Sequence, residues 1–519
     1  MLKTKIQAWY KVIDTFVNNT AMYRLVLYVL SMYVVVAFIF SLFGMFGLVP
    51  FTPLTMFVSL ATILGVCWAT NYAFAYIFKA PSNVESVYIT ALILFCIITP
   101  PSGGSYTAYF SLAVSASALA MATKYIVAFR KKHIFNPAAL ALVITAITIQ
   151  QSASWWIGRG DMMVFVVLGG LLIAKKIRRW DLVLSFLASA LVTILTISFF
   201  KGTDVFATFA TTFSDTAFFF FAFIMLTEPL TTPPTKKLRI LYGVLVGFLF
   251  APNLHVGTLY STPELALVLG NIFSYSLSPK ERFILKLKEK IRVANNTFEY
   301  VFDVVRKIQF NAGQYLEWTL PHESPDSRGN RRYFTIASSP EEGVIRIGVR
   351  QFEKQSSFKS HLREMAIGSE IIASQTDGDF TLPKDRSKKL VFIAGGIGIT
   401  PFVSMVRHLR LTKERRDIVL LYSNRTAQDI AYKDIFDTAI QELGIQVYYF
   451  VTDGTENTNV EGVQKGIITV DTITKILPDY SERQFYISGP NVMVTAFKSI
   501  LTSVGIKNSS IKTDYFTGL

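Results

Sequence analysis

Apolar runs follow one another so closely through the first 278 residues that little chain is left between them, and this constrains the fold more than any motif does. A membrane span needs roughly 20 predominantly apolar residues. Candidate runs lie at about 24–47, 51–78, 84–99, 105–123, 134–150, 162–174, 180–200, 205–227, 238–253 and 260–278. Near Ser278 the chain changes character, and the remainder alternates charged and apolar residues as a globular protein does. The expected organisation is a polytopic helical domain over 1–279, a small antiparallel β-barrel domain over 280–386 and an α/β domain over 387–519.

Charge separates the same two parts. The chain carries +15 overall, of which +10 falls on residues 1–279 and +5 on the rest. The excess in the first part lies in short loops, where cations set membrane orientation, so nucleic-acid binding is not expected. With a cytoplasmic N-terminus, inside segments receive Lys3, Lys5, Lys11, Arg24, Lys79, Lys124, Arg130, Lys131, Lys132, Lys175, Lys176, Arg178, Arg179, Lys236, Lys237 and Arg239. Outside loops receive Arg159 and Lys201. One miscounted span would invert every later loop, so this bias supports ten spans and puts the C-terminal part in the cytoplasm. The lysine-rich start has no small-residue cleavage site after a short apolar core, unlike a removable signal peptide.

Ten spans divide as five plus five, and odd-numbered halves enter a membrane in opposite senses. The third run ends in Thr99-Pro100-Pro101 and the eighth in Thr227-Glu228-Pro229-Leu230-Thr231-Thr232-Pro233-Pro234. This suggests an inverted repeat, which places a ligand at the midplane where broken helices meet; ordinary proline stops explain the same clusters. Intramembrane polar residues are costly, which singles out Asn136, Asp215 and Glu228 as candidates for a flavin pocket or an ion path, or as helix-to-helix contacts. Cys67 and Cys96 are the chain's two cysteines, which excludes a disulfide framework and a four-cysteine iron–sulfur cluster. No metal site is expected.

In the soluble part, the alternation in Phe298–Val305 and Gln314–Leu320 predicts short antiparallel strands. Strands at Leu390–Ala394, Ile418–Ser423, Val447–Thr452 and Gln484–Ser488, separated by helical stretches, predict a doubly wound parallel sheet. Gly395-Gly396-Ile397-Gly398-Ile399-Thr400-Pro401 follows the first of these strands and opens a helix, the context a dinucleotide site requires. Ser423-Asn424-Arg425 follows the second; Arg425 suits an adenosine 2′-phosphate or a solvated helix start, which leaves NADH and NADPH both open.

With Arg332-Tyr333-Phe334-Thr335-Ile336-Ala337-Ser338-Ser339-Pro340 ahead of that glycine turn and Ser488-Gly489-Pro490 after it, residues 281–519 resemble the ferredoxin–NADP reductase superfamily. The resemblance implies FAD and a nicotinamide nucleotide. Arg332 offers the flavin pyrophosphate a planar cation. Tyr333 and Phe334 are placed to stack on the isoalloxazine, and Thr335 to hydrogen-bond near its N5. Ser356 and Ser357 begin a helix whose backbone N–H groups suit phosphate. Gly489 and Pro490 border the nicotinamide, and Phe516 comes towards the flavin. Two positions depart from the family pattern: Ser488 stands where many members have cysteine, and Leu519 where many end on an aromatic.

The membrane half contains His133 and His255 as its histidines, in loops on opposite sides, which disfavours a pair of bis-histidine haems. His133-Ile134-Phe135-Asn136-Pro137-Ala138-Ala139, the ten-run count and the Thr227–Pro233 string resemble the FMN-bearing membrane component of the sodium-translocating NADH:quinone oxidoreductase and its counterpart in the Rnf complex. Those proteins hold FMN on a threonine in a Ser-Gly-Ala-Thr context that this sequence lacks, so the resemblance implies a non-covalent FMN or riboflavin. The combined expectation is a cytoplasmic-membrane flavoprotein. It oxidises NAD(P)H and passes electrons to a quinone or an extracytoplasmic flavoprotein. A redox-driven Na⁺ or H⁺ pump and a reductase-regulated transporter stand as alternatives.

Overall fold

The computed structural model describes residues 12–516 apart from 15, 18–19, 45–50, 79–83, 102–105, 130–131, 178, 253, 258, 278–281, 323–325, 327–329, 354 and 454–461. Several loop cations used for orientation (Lys3, Lys5, Lys11, Lys79, Arg130, Lys131 and Arg178), the junction at Ser278 and the terminal Leu519 lie outside the described residues. The chain forms two compact units, Met1–Glu281 and Arg282–Leu519.

Each apolar run of the first unit carries a helix: α1 (Met22–Phe43), α2 (Pro53–Ile77), α3 (Val84–Ile97), α4 (Tyr106–Ile126), α5 (Pro137–Thr148), α6 (Met163–Ile177), α7 (Trp180–Phe200), α8 (Val205–Ser214), α9 (Lys236–Phe250) and α10 (Pro263–Leu277). Their starts follow local chemistry. Thr52 caps α2, its Oγ1 accepting from the Thr55 N–H at 3.3 Å with Pro53 in the first turn, and Asn136 caps α5 ahead of Pro137. Glycine lets α7 and α9 touch, because a methyl on Gly247 would stand 2.7 Å from the Phe186 carbonyl oxygen.

Among the described residues, fewer than ten helices are long and apolar enough to be full spans. By length and composition α1, α2 and α7 qualify, and α8 with the following Phe218–Met225 segment makes a fourth, bent by 58°. The break falls between Ser214 and Phe218, and the Phe221–Met225 stretch beyond it is a π-turn. Two of the runs that fall short, α3 and α5, are shorter apolar helices of 14 and 12 residues, and α3 stops ahead of Pro100 and Pro101, where Ile97 O accepts from Ser154 N and Trp155 N.

In the second unit, β1 (Arg282–Ala294), β2 (Thr297–Val304), β3 (Tyr315–Thr319), β4 (Arg331–Thr335), β5 (Val344–Arg350) and β6 (Glu370–Asp377) form a six-stranded sheet ordered β4-β3-β6-β1-β2-β5. Every pairing is antiparallel. Inward residues of alternating strands, including Phe302, Leu316, Trp318 and Ile347, make one core under helix α11 (Ser357–Glu364). The second sheet is wholly parallel, ordered β10-β9-β8-β7-β11-β12, with β7 Leu390–Gly395, β8 Ile418–Asn424, β9 Gln446–Val451, β10 Val463–Lys465, β11 Gln484–Pro490 and β12 Ile511–Phe516. Its central strand β7 is buried at every residue, which explains its uninterrupted apolar run. Helix α12 (Thr400–Thr412) follows β7 through a turn at Gly396–Ile399.

Candidate functional site

Strand β4 and the start of α11 build the first half of the site. Period-two alternation puts Arg332 and Phe334 on one face of β4. There the Arg332 guanidinium stands 5.5 Å from the Phe358 ring centroid, and Phe334 meets Phe358 at 5.7 Å between centroids. Tyr333 takes the other face, exposed, against Tyr315 and with its hydroxyl 3.3 Å from Glu317 Oε1. Alternation therefore separates the two aromatic candidates, and Phe334 is the one that shares a face with Arg332. Thr335 ends the strand, buried and paired with Tyr315.

Ser356 caps α11, its Oγ accepting from Lys359 N at 3.3 Å, so that one of the first-turn donors is already satisfied from within the helix. The Asp326 carboxylate sits against the same turn. It accepts from Ser357 N at 3.0 Å and from Arg332 Nη2 at 3.2 Å, while Asp326 N donates to Ser357 Oγ at 3.0 Å. An anion is thus already bonded to both the helix N-terminus and the arginine. Sequence reasoning missed Asp326, since nothing in its spacing announces the contact.

The second half lies at the carboxyl ends of β7, β8 and β11. Gly396 adopts φ +53°, which favours glycine. Gly398 has a different reason: a Cβ there would lie 2.5 Å from Ser488 O and 2.6 Å from Gly489 Cα, so the turn packs directly on the Ser488–Gly489 backbone. Thr400 and Pro401 open α12 and are buried. Ser488 is fully buried and its Oγ has no protein hydrogen-bond partner, a state that a ligand amide beside it would relieve. Pro490 pairs with Phe516 at the end of β12; the Phe516 side chain lies outside the described residues.

Arg350, also missed, ends β5 beside this turn. Its Nη2 donates to Asp429 at 2.9 Å, and its Nη1 would lie 3.7 Å from a Cβ on Gly396. Burial pushes the Tyr422 hydroxyl well above its usual pKa, so it stays a neutral donor to Gly396 O at 3.1 Å. Arg425 is largely exposed, with its Nε 3.7 Å from Asp453 Oδ2 at the end of β9.

In the membrane unit Asn136 and Asp215 are not brought together. Asp215 is exposed at the bend after α8, accepting from Ser214 Oγ at 2.5 Å. Asn136 is buried, with its Nδ2 donating to Glu228 Oε2 at 3.0 Å and its backbone N to Asn271 Oδ1 at 2.8 Å. His133 Nε2 lies 3.2 Å from Glu228 Oε1, and Asn271 Nδ2 donates to the Tyr242 hydroxyl at 3.1 Å. Asn271 and Tyr242 are residues of this network that sequence reasoning missed, although a polar side chain such as Asn271 within an apolar run is a legible signal.

An antiparallel sheet carrying an arginine–aromatic–threonine strand, joined to a parallel sheet with a glycine turn, defines a ferredoxin-reductase-like flavin and nucleotide module. Three family models match in the same places: the oxidoreductase FAD-binding domain over 284–381, the oxidoreductase NAD-binding domain over 392–499, and the NQR2, RnfD, RnfE family over 157–279. Relatives similar to the soluble part include a flavohemoprotein of Candida albicans, 30% identical over 39% of this chain and 50% of its own length. An NADH-cytochrome b5 reductase 1 of Ajellomyces capsulatus is 28% identical over 47% of this chain and 82% of that protein. The reductase component of propane 2-monooxygenase from Rhodococcus jostii is 27% identical over 40% and 56%. The chain thus spans about half the length of the first and third of these relatives. It carries an NAD(P)H-dependent flavin oxidoreductase module joined to an NQR2/RnfD/RnfE-type membrane unit.

Proposed function

We propose that this protein is a multi-pass flavoprotein of the cytoplasmic membrane. It oxidises NADH at its cytoplasmic module and passes the electrons through its membrane unit to a quinone or an extracytoplasmic flavoprotein. The observation that carries the reading is the second half of the site, where a turn only glycine can form packs on Ser488–Gly489 and leaves the buried Ser488 Oγ unbonded.

FAD, when bound, supplies the chemistry: it accepts two electrons together and releases them singly. Arg332 and the first turn of α11 would hold its pyrophosphate, in place of the Asp326 carboxylate. Phe334 offers an apolar face on the same side of the strand, and Thr335 a hydroxyl at its end. Gly395, Gly396 and Gly398 let the nucleotide approach the backbone, while Ser488, Gly489 and Pro490 border the nicotinamide. Arg350 adds positive charge beside the turn. Arg425, the cation offered to a 2′-phosphate, faces Asp453; the carboxylate repels a phosphate and suits a ribose hydroxyl, which favours NADH.

The membrane unit would hold a non-covalent FMN or riboflavin near Asn136. A second reading, coupling to Na⁺ or H⁺, draws on the network of half-buried His133 and Glu228 with buried Asn136. Anaerobic NADH added to purified protein is expected to bleach the flavin absorbance, and an unchanged spectrum would overturn the proposal. Glu228→Gln in proteoliposomes separates the second reading: a membrane potential that persists unchanged, or is absent in the wild type, counts against it.

A further inference from the structure

The segment that ends in the flavin-side threonine does not stop at Thr335. It continues as Ile336-Ala337-Ser338, and the backbone of those residues is bonded to the helix that grows out of the nucleotide turn. Ser404 Oγ donates to Ser338 O at 2.7 Å and accepts from Gly313 N at 3.3 Å, and Ser404 and Ser338 are both fully buried. One helical turn later, Arg407 Nη1 donates to Ala337 O at 2.9 Å. The same guanidinium bonds Glu299 of β2 at 2.9 and 3.3 Å, and Glu299, 1% exposed, also accepts from Arg346 Nη1 of β5 at 2.8 Å. Tyr432 covers the Arg407 guanidinium, its ring centroid 5.7 Å away.

Ser404 and Arg407 lie three residues apart on α12 and so share a face of that helix. Both reach past their own subdomain to carbonyls that lie two and three residues beyond Thr335. The strand presenting the flavin and the helix presenting the nucleotide turn are therefore held together by a buried hydrogen bond from Ser404 and a partly buried one from Arg407. Apolar packing alone would have brought the two subdomains together without fixing their register. We propose that Ser404 and Arg407 are positioning residues for hydride transfer: they set the separation and angle between the flavin and nicotinamide sites without touching either ligand. The inference rests on the NADH and FAD reading above.

The test is stopped-flow reduction of the FAD-loaded full-length protein by NADH, under anaerobic conditions. Ser404→Ala is expected to lower the limiting rate of flavin reduction by about 10-fold or more, since small misplacements of reacting groups are costly. Flavin content and the NADH concentration for half-maximal rate should stay at wild-type values. Arg407→Lys keeps the charge facing Glu299 but loses the planar fork, and is expected to give a smaller fall of the same kind. Unchanged limiting rates in both variants, or losses that follow flavin content, would overturn the inference and leave Ser404 and Arg407 as subdomain glue. A wild-type protein whose flavin NADH does not reduce would instead overturn the functional reading itself.

Discussion

Arg332 donates to a carboxylate, so a flavin phosphate bound at α11, as proposed, would exchange with Asp326 for the same donors. A bidentate charge-assisted contact is worth about 1.5–3 kcal/mol. Arg332→Ala should therefore weaken FAD binding by roughly 10-fold to 100-fold, read by titrating apoprotein with FAD. Asp326→Asn removes the competing charge and is expected to tighten binding in the same titration; weaker binding would make Asp326 a support for Arg332 instead. At the nucleotide end, Asp453→Ser should raise the NADPH to NADH ratio of kcat/KM by about 10-fold, and a ratio that does not move would reject Asp453 as the discriminating group. Arg332, Ser488 and the glycines stand out in the sequence because such motifs depend on chain order and residue type. Asp326, Arg350 and Glu299 were not, because each acts across the fold on residues distant in sequence.

Among the elements, the parallel strands were legible from their apolar runs, and each lies within a residue or two of its expected range. β10 and β12 were missed because edge strands lack that signature: β10 is three residues of half-buried or exposed character. The join between the sheets depends on Glu299, whose carboxylate faces two guanidinium groups. Removing one member of a buried ion cluster leaves unpaired charge, so Glu299→Ala should cost about 3–5 kcal/mol, measured by chemical denaturation of the soluble unit's fluorescence in the full-length protein. At the base of β11, Arg483 and then Lys389 hold the Asp479 carboxyl down to about 2, from 3.8. A depressed folded pKa stabilises above the unfolded value and is lost as pH falls through the folded one. Asp479→Asn is therefore expected to flatten the acid side of the stability curve between about pH 4 and pH 2 and to lower neutral stability by the same amount, a modest one because solvent screens the partly exposed carboxylate.

For the whole molecule, the change of solvent near Ser278 was the clearest signal in the sequence, and the two compact units divide at Glu281 and Arg282. The number of full spans was less legible. Hydropathy registers that a run is apolar, but cannot tell a spanning helix from one cut short by Pro100 or bent at the Asp215 turn. The proposed function turns on whether electrons from NADH reach a second carrier beyond the FAD. An anaerobic titration of purified full-length protein tests this most directly, by counting the NADH needed to bleach all the flavin. About two equivalents per chain are expected, one for each two-electron flavin, whereas an end point near one, with FAD the sole extractable flavin, would contradict the second carrier.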